Sequence, residues 1–261
     1  MGRIFDLDSP IMRGLTKMAD VMWINILTLI FSIPLLFEQY FMLGPILMGE
    51  QEYAINYVLY AWLFGIIASI PLGPALTAMH FVLLKIVRDD ESYVTKTFFK
   101  SFKENFKQAV VLMVIQFTAG GILLMDYLLM KGRAMVYSYI VFAVALILYL
   151  ASLYIFPLQS KFVNTVVGTI KNAFLMSVLA LPKTLAMAVV TLLPIVLYYF
   201  FDFKIVPILF LFGFAGPGYL CATLYNETFK KFEPKEEVLS EEEELDNAIK
   251  KIDEQETRED Q

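Results

Sequence analysis

The chain has 261 residues, of which 58% are hydrophobic and only 18% are charged, and its mean hydropathy is +0.64. A soluble domain is nearer half apolar and a quarter charged, so this composition excludes an ordinary soluble domain and indicates an integral membrane protein. The one cysteine and the one histidine exclude a disulfide framework, a multi-cysteine metal site and most histidine-based catalysis.

The net charge of −5 is the sum of two parts with opposite character. Residues 233–261 hold thirteen acids against four bases, whereas residues 1–232 hold 17 bases against 13 acids. The sequence therefore predicts a mildly basic membrane domain over 1–232, followed by an acidic, mobile cytoplasmic tail over 233–261.

Six stretches are apolar enough to cross a bilayer, which needs about 20 residues per helix. The second is long and contains PLGP at 71–74, so we expect it to kink or break there. The fold class predicted is an all-α integral membrane protein with about six transmembrane helices and two cytoplasmic amphipathic helices. The predicted spans are 18–37, 57–84, 108–130, 135–157, 184–201 and 204–225.

Basic residues are concentrated on one side of these spans. Fourteen bases lie before the first span, in alternate loops and after the sixth span, whereas the other loops hold three. Lysine and arginine are enriched in cytoplasmic loops, so both termini are predicted to be cytoplasmic.

The first amphipathic helix is KTFFKSFKENFKQ, residues 96–108. At about 100° per residue its phenylalanines share one face and its lysines another. Two interpretations remain open. The helix could be an interfacial anchor whose lysines reach anionic lipid, or it could be a docking surface for a cytoplasmic partner. The candidate docking residues are Phe99, Lys100, Phe102, Lys103, Phe106 and Lys107.

The loop 158–183 contains the second amphipathic helix. One face is apolar, with Val163, Val166, Val167, Ile170 and Phe174. The candidate docking residues of this segment are Asn164, Lys171, Asn172 and Pro182.

Polar residues within the predicted spans are functional candidates because each is costly in lipid. They are Asp20, Asn25, His80 and Gln116. Structural interpretations stand beside the functional ones: Asp20 could lie at the interface, Asn25 could bond another helix, and His80 could be a buried imidazole bonded to a neighbour.

Glycine and proline interrupt the second and sixth spans, in SIPLGPA (69–75) and GFAGPGY (213–219). Broken helices expose backbone groups and can mark the substrate site of a transporter, but membrane helices also tolerate glycine and proline for packing alone. The candidates here are Gly73, Pro74, Gly216 and Pro217.

Motifs of nucleotide or hydrolytic chemistry are absent from the sequence: it has no GxxxxGK[ST], GxSxG, HExxH or GxGxxG. We therefore expect a protein that is not an enzyme and that uses no cofactor or metal. Membrane lipid is an expected partner, and nucleic acid is not.

Four segments carry a family resemblance: 16–34, GPALTAMHFVLLKIVRDDESYVTKTFFKSFKENFKQA (73–109), FPLQSKFVNTVVGTIKNAFLMSVLALPKT (156–184) and 212–233. In order and content they resemble the YesL-like family. The resemblance implies a multi-pass protein of the bacterial plasma membrane, often encoded beside carbohydrate ABC importers and polysaccharide-degrading enzymes, with no established catalytic residue. Residues 35–70 depart from the family pattern as an insertion, which we expect to enlarge an outer loop and lengthen the second span.

Three functional hypotheses follow. The first is an accessory membrane protein of carbohydrate ABC import that docks on the permease or ATPase through 96–108 and 163–174. The alternatives are a self-sufficient small-molecule transporter with a site between the broken spans, and a membrane scaffold or regulator whose acidic tail recruits a soluble partner.

Overall fold

A computed structural model describes residues 9–47, 55–90, 93–130 and 135–233. These residues are almost entirely helical and include no β-strand. Apart from its first residue, the predicted acidic tail lies outside the described residues. The α-helices of the described ranges are α1 (Pro10–Leu47), α2 (Ile55–Ala68), α3 (Leu72–Val87), α4 (Val94–Met130), α5 (Met135–Lys161), α6 (Val166–Leu179), α7 (Leu181–Phe201), α8 (Val206–Phe212) and α9 (Ala215–Lys230).

Four helical stretches of the described chain are long and apolar enough to cross a membrane, or five if the bent pair α2 and α3 counts as one span. The all-α class with several membrane helices is thus confirmed, whereas the count of six is not. The difference lies in the predicted span 204–225. This region is divided between α8, which has only seven residues, and α9, so no single long apolar helix forms there. The four stretches are Pro10–Pro45, Val94–Met130, Met135–Lys161 and Leu181–Phe212.

The predicted break in the second span is present. The axes of α2 and α3 differ by 57° across residues 69–71. The backbone pairs locally at the bend, since Ser69 N donates to Gly65 O (2.8 Å) and Leu72 N donates to Ser69 O (3.0 Å). The bend therefore leaves these amides satisfied rather than available to a ligand.

The insertion at 35–70 is mostly helix rather than an enlarged loop. Residues 35–47 continue α1, and 55–68 form α2, while 48–54 lie outside the described residues. Gln39 Nε2 donates to Ala61 O at 3.0 Å and so joins the two helices. The added residues lengthen α1 and supply α2, so the predicted loop expansion is wrong for the described part of the insertion.

The amphipathic segment 96–108 is the first third of α4 and not a separate helix. No glycine or proline interrupts the chain between 96 and 119, so the segment continues in register into the apolar part of α4. Part of its phenylalanine face contacts α1: Phe98 is fully buried, and the Phe102 ring lies 4.5 Å from that of Phe31. The predicted short helix is therefore the beginning of a longer one, and α1 covers part of its phenylalanine face.

Glycine at position 73 permits α3 and α4 to approach closely. A Cβ atom built there would lie 2.5 Å from the backbone oxygen of Ala109 and 2.7 Å from Met113 Cβ. The first neighbour is backbone and cannot rotate away. Gly73 is therefore a packing residue, as small residues at membrane helix contacts often are.

Candidate functional site

The lysines of α4 point away from its packed face. This holds for Lys100, Lys103 and Lys107, which are exposed opposite the face on which Phe98 and Phe102 contact α1. Lys96, also exposed, lines a pocket shared with α1. Lys100 pairs loosely with Glu104, at 3.9 Å. Among the described residues, Lys103 and Lys107 have no ion-pair partner. The result is a strip of positive charge on the outer face of α4.

The predicted phenylalanines divide into two groups. Phe102 is half-buried against α1, whereas the side chains of Phe99 and Phe106 are 38% and 40% exposed and flank the lysine strip. Phe99 still contacts Phe31 of α1 edge-on, with ring centroids 6.3 Å apart, so Phe106 is the more available to a partner or to lipid.

A cluster of side-chain amides joins α4 to the start of α6. Gln159 Nε2, on α5, donates to Asn105 Oδ1 (3.2 Å) and Gln108 Oε1 (3.1 Å), both on α4. Gln108 Nε2 in turn donates to the backbone oxygen of Asn164, just before α6. Thr169 Oγ1, on α6, donates weakly to Gln159 Oε1 at 3.4 Å. These bonds fix the two predicted docking segments relative to each other.

Sequence reasoning missed Gln159. It is buried, although it lies close to Lys161 at the end of an apolar stretch. A polar residue at a span end is ordinarily taken as interfacial, but an amide within FPLQS, among apolar neighbours, was a signal for a helix-bonding role.

The buried face of α6 differs from the predicted apolar face. Thr169, Ala173 and Ser177 are buried, which lets α6 lie close to its neighbours, whereas Val167 and Lys171 are exposed. The N-terminus of α6 is capped by Thr165, whose Oγ1 accepts from Gly168 N at 3.1 Å. The exposed strip of α6 is therefore Val167, Lys171, Leu175 and Val178.

The other docking candidates contribute less to these strips. Asn172 is half-buried on α6. Pro182 is exposed in the first turn of α7, where a missing amide hydrogen costs nothing. We define the docking face as the exposed residues Lys100, Lys103 and Lys107 of α4 together with Val167, Lys171 and Leu175 of α6.

Asn25 makes hydrogen bonds to backbone groups at the break before α9. Its side chain is fully buried; Nδ2 donates to Phe210 O (2.8 Å), and Oδ1 accepts from Phe214 N (2.7 Å) and Ala215 N (2.8 Å). A side chain of α1 thus acts as the N-cap of a distant helix. The amides freed by this break are already bonded and do not face a vacant site.

His80 likewise has a neighbour: its Nδ1 lies 3.3 Å from the Tyr225 hydroxyl. Gly216 and Pro217 belong to the first turn of α9, and Pro74 is buried in the first turn of α3. None of these glycine and proline residues lines either described cavity. The residues named from the broken spans therefore do not converge on one site.

A cavity of about 950 Å³ lies among α1, α2, α4, α5 and α6. Gln116 lines it, as do Gln39 and Trp62, but most of its wall is apolar. Such a wall suits an apolar guest, with a few amides and hydroxyls to orient it. Within the described ranges, no three histidine, cysteine or acidic side chains come together as a metal-binding group.

The fold defines a class: over the described residues this is an all-helical protein with four or five candidate membrane-spanning helices. Residues 21–127, about two fifths of the chain, match the model of a family described as "Protein of unknown function, DUF624". That family contains YesL. Comparison with curated proteins and with solved structures finds no match.

Proposed function

We propose that this chain is a non-catalytic accessory protein of the bacterial plasma membrane that binds the cytoplasmic side of a larger transport complex through its docking face. The observation that carries the proposal is the lysine strip of α4, which points away from the protein and is held in a fixed relation to α6. The YesL-like resemblance makes a carbohydrate ABC importer the expected complex, with its permease or ATPase as the direct partner.

A partner explains the lysine strip better than lipid anchoring does. An interfacial anchor inserts an apolar face and lets flanking lysines reach headgroups. Here Phe98 and Phe102 contact α1, and the lysines lie on the opposite side of the helix. A strip of this kind complements an acidic protein surface, and such complementarity sets orientation and association rate.

The proposed topology has six passes with both termini in the cytoplasm. Lys17, early in α1, pairs with Asp89 after α3 (2.6 Å), and the adjacent Arg88 donates through Nε to Asn226 Oδ1 in α9 (2.8 Å). These contacts support the placement of residues 17, 89 and 226 on the same side of the membrane. The chain must then cross the membrane an even number of times between residues 17 and 226.

The sixth pass is proposed to be α8 and α9 together, broken at 213–214. Lys183, at the start of α7, pairs with Glu227, near the end of α9, at 2.9 Å. The proposed path thus crosses the membrane along α7 and crosses back along α8 and α9, so that the end of α9 lies beside the start of α7. Since the basic residues gather at this end, it is assigned to the cytoplasm.

The transporter alternative has less support, because several amides at each break, among them Leu72 N and Phe214 N, have partners within the chain. The scaffold alternative depends on the acidic tail at 233–261, which lies almost wholly outside the described residues.

The test is copurification after extraction in a mild detergent. The double variant Lys103→Glu, Lys107→Glu should lose its partner, because it reverses the charge that attracts an acidic surface. The double variant with arginine at both positions should retain it. Lys204→Glu, an exposed lysine in the turn after α7, is the matched control elsewhere on the surface.

Phe106→Leu tests the shape of the contact. It should weaken copurification while membrane insertion and thermal unfolding stay unchanged, since interface energy concentrates in a few aromatic anchors. A partner that survives both the charge reversal and Phe106→Leu would defeat the proposal, and so would the absence of any partner.

A further inference from the structure

A second pocket lies between the starts of α1 and α4 and has a volume of about 790 Å³. Two contacts hold α1 in place there. Trp23 Nε1 of α1 donates to Thr95 Oγ1 of α4 at 2.8 Å. The Lys17–Asp89 ion pair, about two turns earlier on α1, joins α1 to the turn between α3 and α4. The pocket therefore lies where α1 is held against the start of α4, and it is lined by Asp20, Trp23, Tyr93, Val94, Thr95, Lys96 and Phe99.

The acid in this pocket has no partner of its own. Within the described ranges, the Asp20 carboxylate makes no hydrogen bond or ion pair, and its nearest basic residue along α1, Lys17, is engaged by Asp89. A carboxylate within an apolar helix segment is costly unless a cation compensates it. Asp20 thus favours a positively charged ligand.

The rings around Asp20 favour the same kind of ligand. Trp23, Tyr93 and Phe99 all line the pocket, and their side chains are 44%, 84% and 38% exposed. Aromatic faces attract ammonium groups through the ring quadrupole, most strongly when several rings surround the cation. One carboxylate and three aromatic rings form the chemistry that recognises a protonated amine.

Lys96 favours a negatively charged group in the same pocket. Its exposed ammonium lines the same pocket and has no ion pair in the described part of the chain. A lone cationic side chain from another protein would meet repulsion from Lys96. A zwitterion that carries an amine and a phosphate a few bonds apart would satisfy Asp20 and Lys96 together.

The position of the pocket identifies the source of such a zwitterion. Beyond the pocket, α1 exposes apolar side chains such as Ile30 and Ile33, whereas before it α1 exposes Arg13, and α4 carries the lysine strip. A change from apolar to basic surface is where phospholipid headgroups lie against a membrane protein. We infer that this pocket binds the headgroup of an amine-bearing phospholipid, phosphatidylethanolamine, with its ammonium between Asp20 and the three rings and its phosphate at Lys96. The inference does not depend on the docking face or its partner.

The test is native mass spectrometry of the full-length protein, released from detergent micelles that contain equal amounts of phosphatidylethanolamine and phosphatidylglycerol. The wild-type protein should retain phosphatidylethanolamine in preference to phosphatidylglycerol. Asp20→Asn should reduce that preference about tenfold, as the loss of a charge-assisted contact implies. Asp202→Asn is the matched control, because Asp202 is exposed and lies beyond α7, outside the pocket.

Two further variants separate binding from folding. Thr95→Val removes the bond to Trp23 but leaves the rings, and it should keep the lipid preference. Lys96→Ala should lower retention of both lipids. Equal retention of the two lipids by the wild-type protein, or an unchanged preference in Asp20→Asn, would overturn the inference. A lysine-rich peptide added to the same micelles is a competitor; if the wild-type protein retains it and shows no lipid preference, the pocket belongs to a protein segment and the inference is overturned.

Discussion

Replacement of Asn25 by leucine should destabilise the protein strongly, although it exchanges one buried side chain for another of similar size. Asn25 is fully buried and makes three hydrogen bonds to the backbone around the α8–α9 break, all between 2.7 and 2.8 Å. Leucine would leave the carbonyl of Phe210 and the amides of Phe214 and Ala215 without these bonds. No side chain other than Asn25 bonds these groups in the described structure.

The magnitude follows from the number of bonds. Side-chain hydrogen bonds between membrane helices contribute about 0.6 kcal/mol on average and at most about 1.7 kcal/mol. Three bonds lost together therefore lower the free energy of unfolding by about 2 to 5 kcal/mol.

The assay is reversible unfolding in mixed micelles with increasing denaturing detergent, followed by tryptophan fluorescence. Thr28→Val is the matched control. Thr28 is also fully buried on α1, but its Oγ1 donates only to Ile24 O of its own helix, at 2.9 Å. Its loss should cost less than about 1 kcal/mol, because that carbonyl keeps its helical bond. If Asn25→Leu costs no more than Thr28→Val, the capping role of Asn25 is refuted.

Three other predictions concern packing, the amide cluster and topology. Gly73→Ala should lower the unfolding midpoint in the same assay, because its Cβ would collide with backbone. Gly120→Ala is the control and should be neutral or stabilising, since no atom lies within 4 Å of the new Cβ. Equal effects of the two variants would contradict the close approach of α3 and α4. Gln159→Leu should cost about 1 to 3 kcal/mol and speed proteolysis between α5 and α6, because the half-buried side-chain oxygens of Asn105 and Gln108 lose their donor. Unchanged proteolysis would argue against the cluster. In a variant without Cys221, a cysteine at Met135 should react with an impermeant thiol reagent in intact cells and one at Ser240 should not, and the reverse pattern would contradict the proposed orientation.

The sequence was sufficient to predict the helical class and the bend before α3. Long apolar stretches and the prolines of PLGP act through local physics, since a bilayer requires paired backbone and proline removes an amide donor. The division of the predicted span 204–225 into α8 and α9 could not be predicted, because the backbone at the break is bonded by Asn25, far away in the chain.

The partners of the amphipathic faces could not be predicted from periodicity. The pattern of 96–108 identifies which residues share a face, but not that Phe31 of α1 would occupy part of it. In α6 the predicted apolar face and the buried face differ, because small residues such as Ala173 permit close contact that larger apolar residues do not. Tertiary contact, rather than hydrophobic pattern, decided both cases.

The most direct test of the docking function is site-specific photocrosslinking in intact cells. A photoreactive residue in place of Lys103, on α4, and one in place of Val167, on α6, should each capture the same protein. The same residue at Phe142, an exposed apolar position of α5 away from both docking strips, should not capture it. Capture of one partner from both docking positions is the expected result. Crosslinks to lipid alone from Lys103 and Val167, or to the same protein from Phe142 as well, would contradict it.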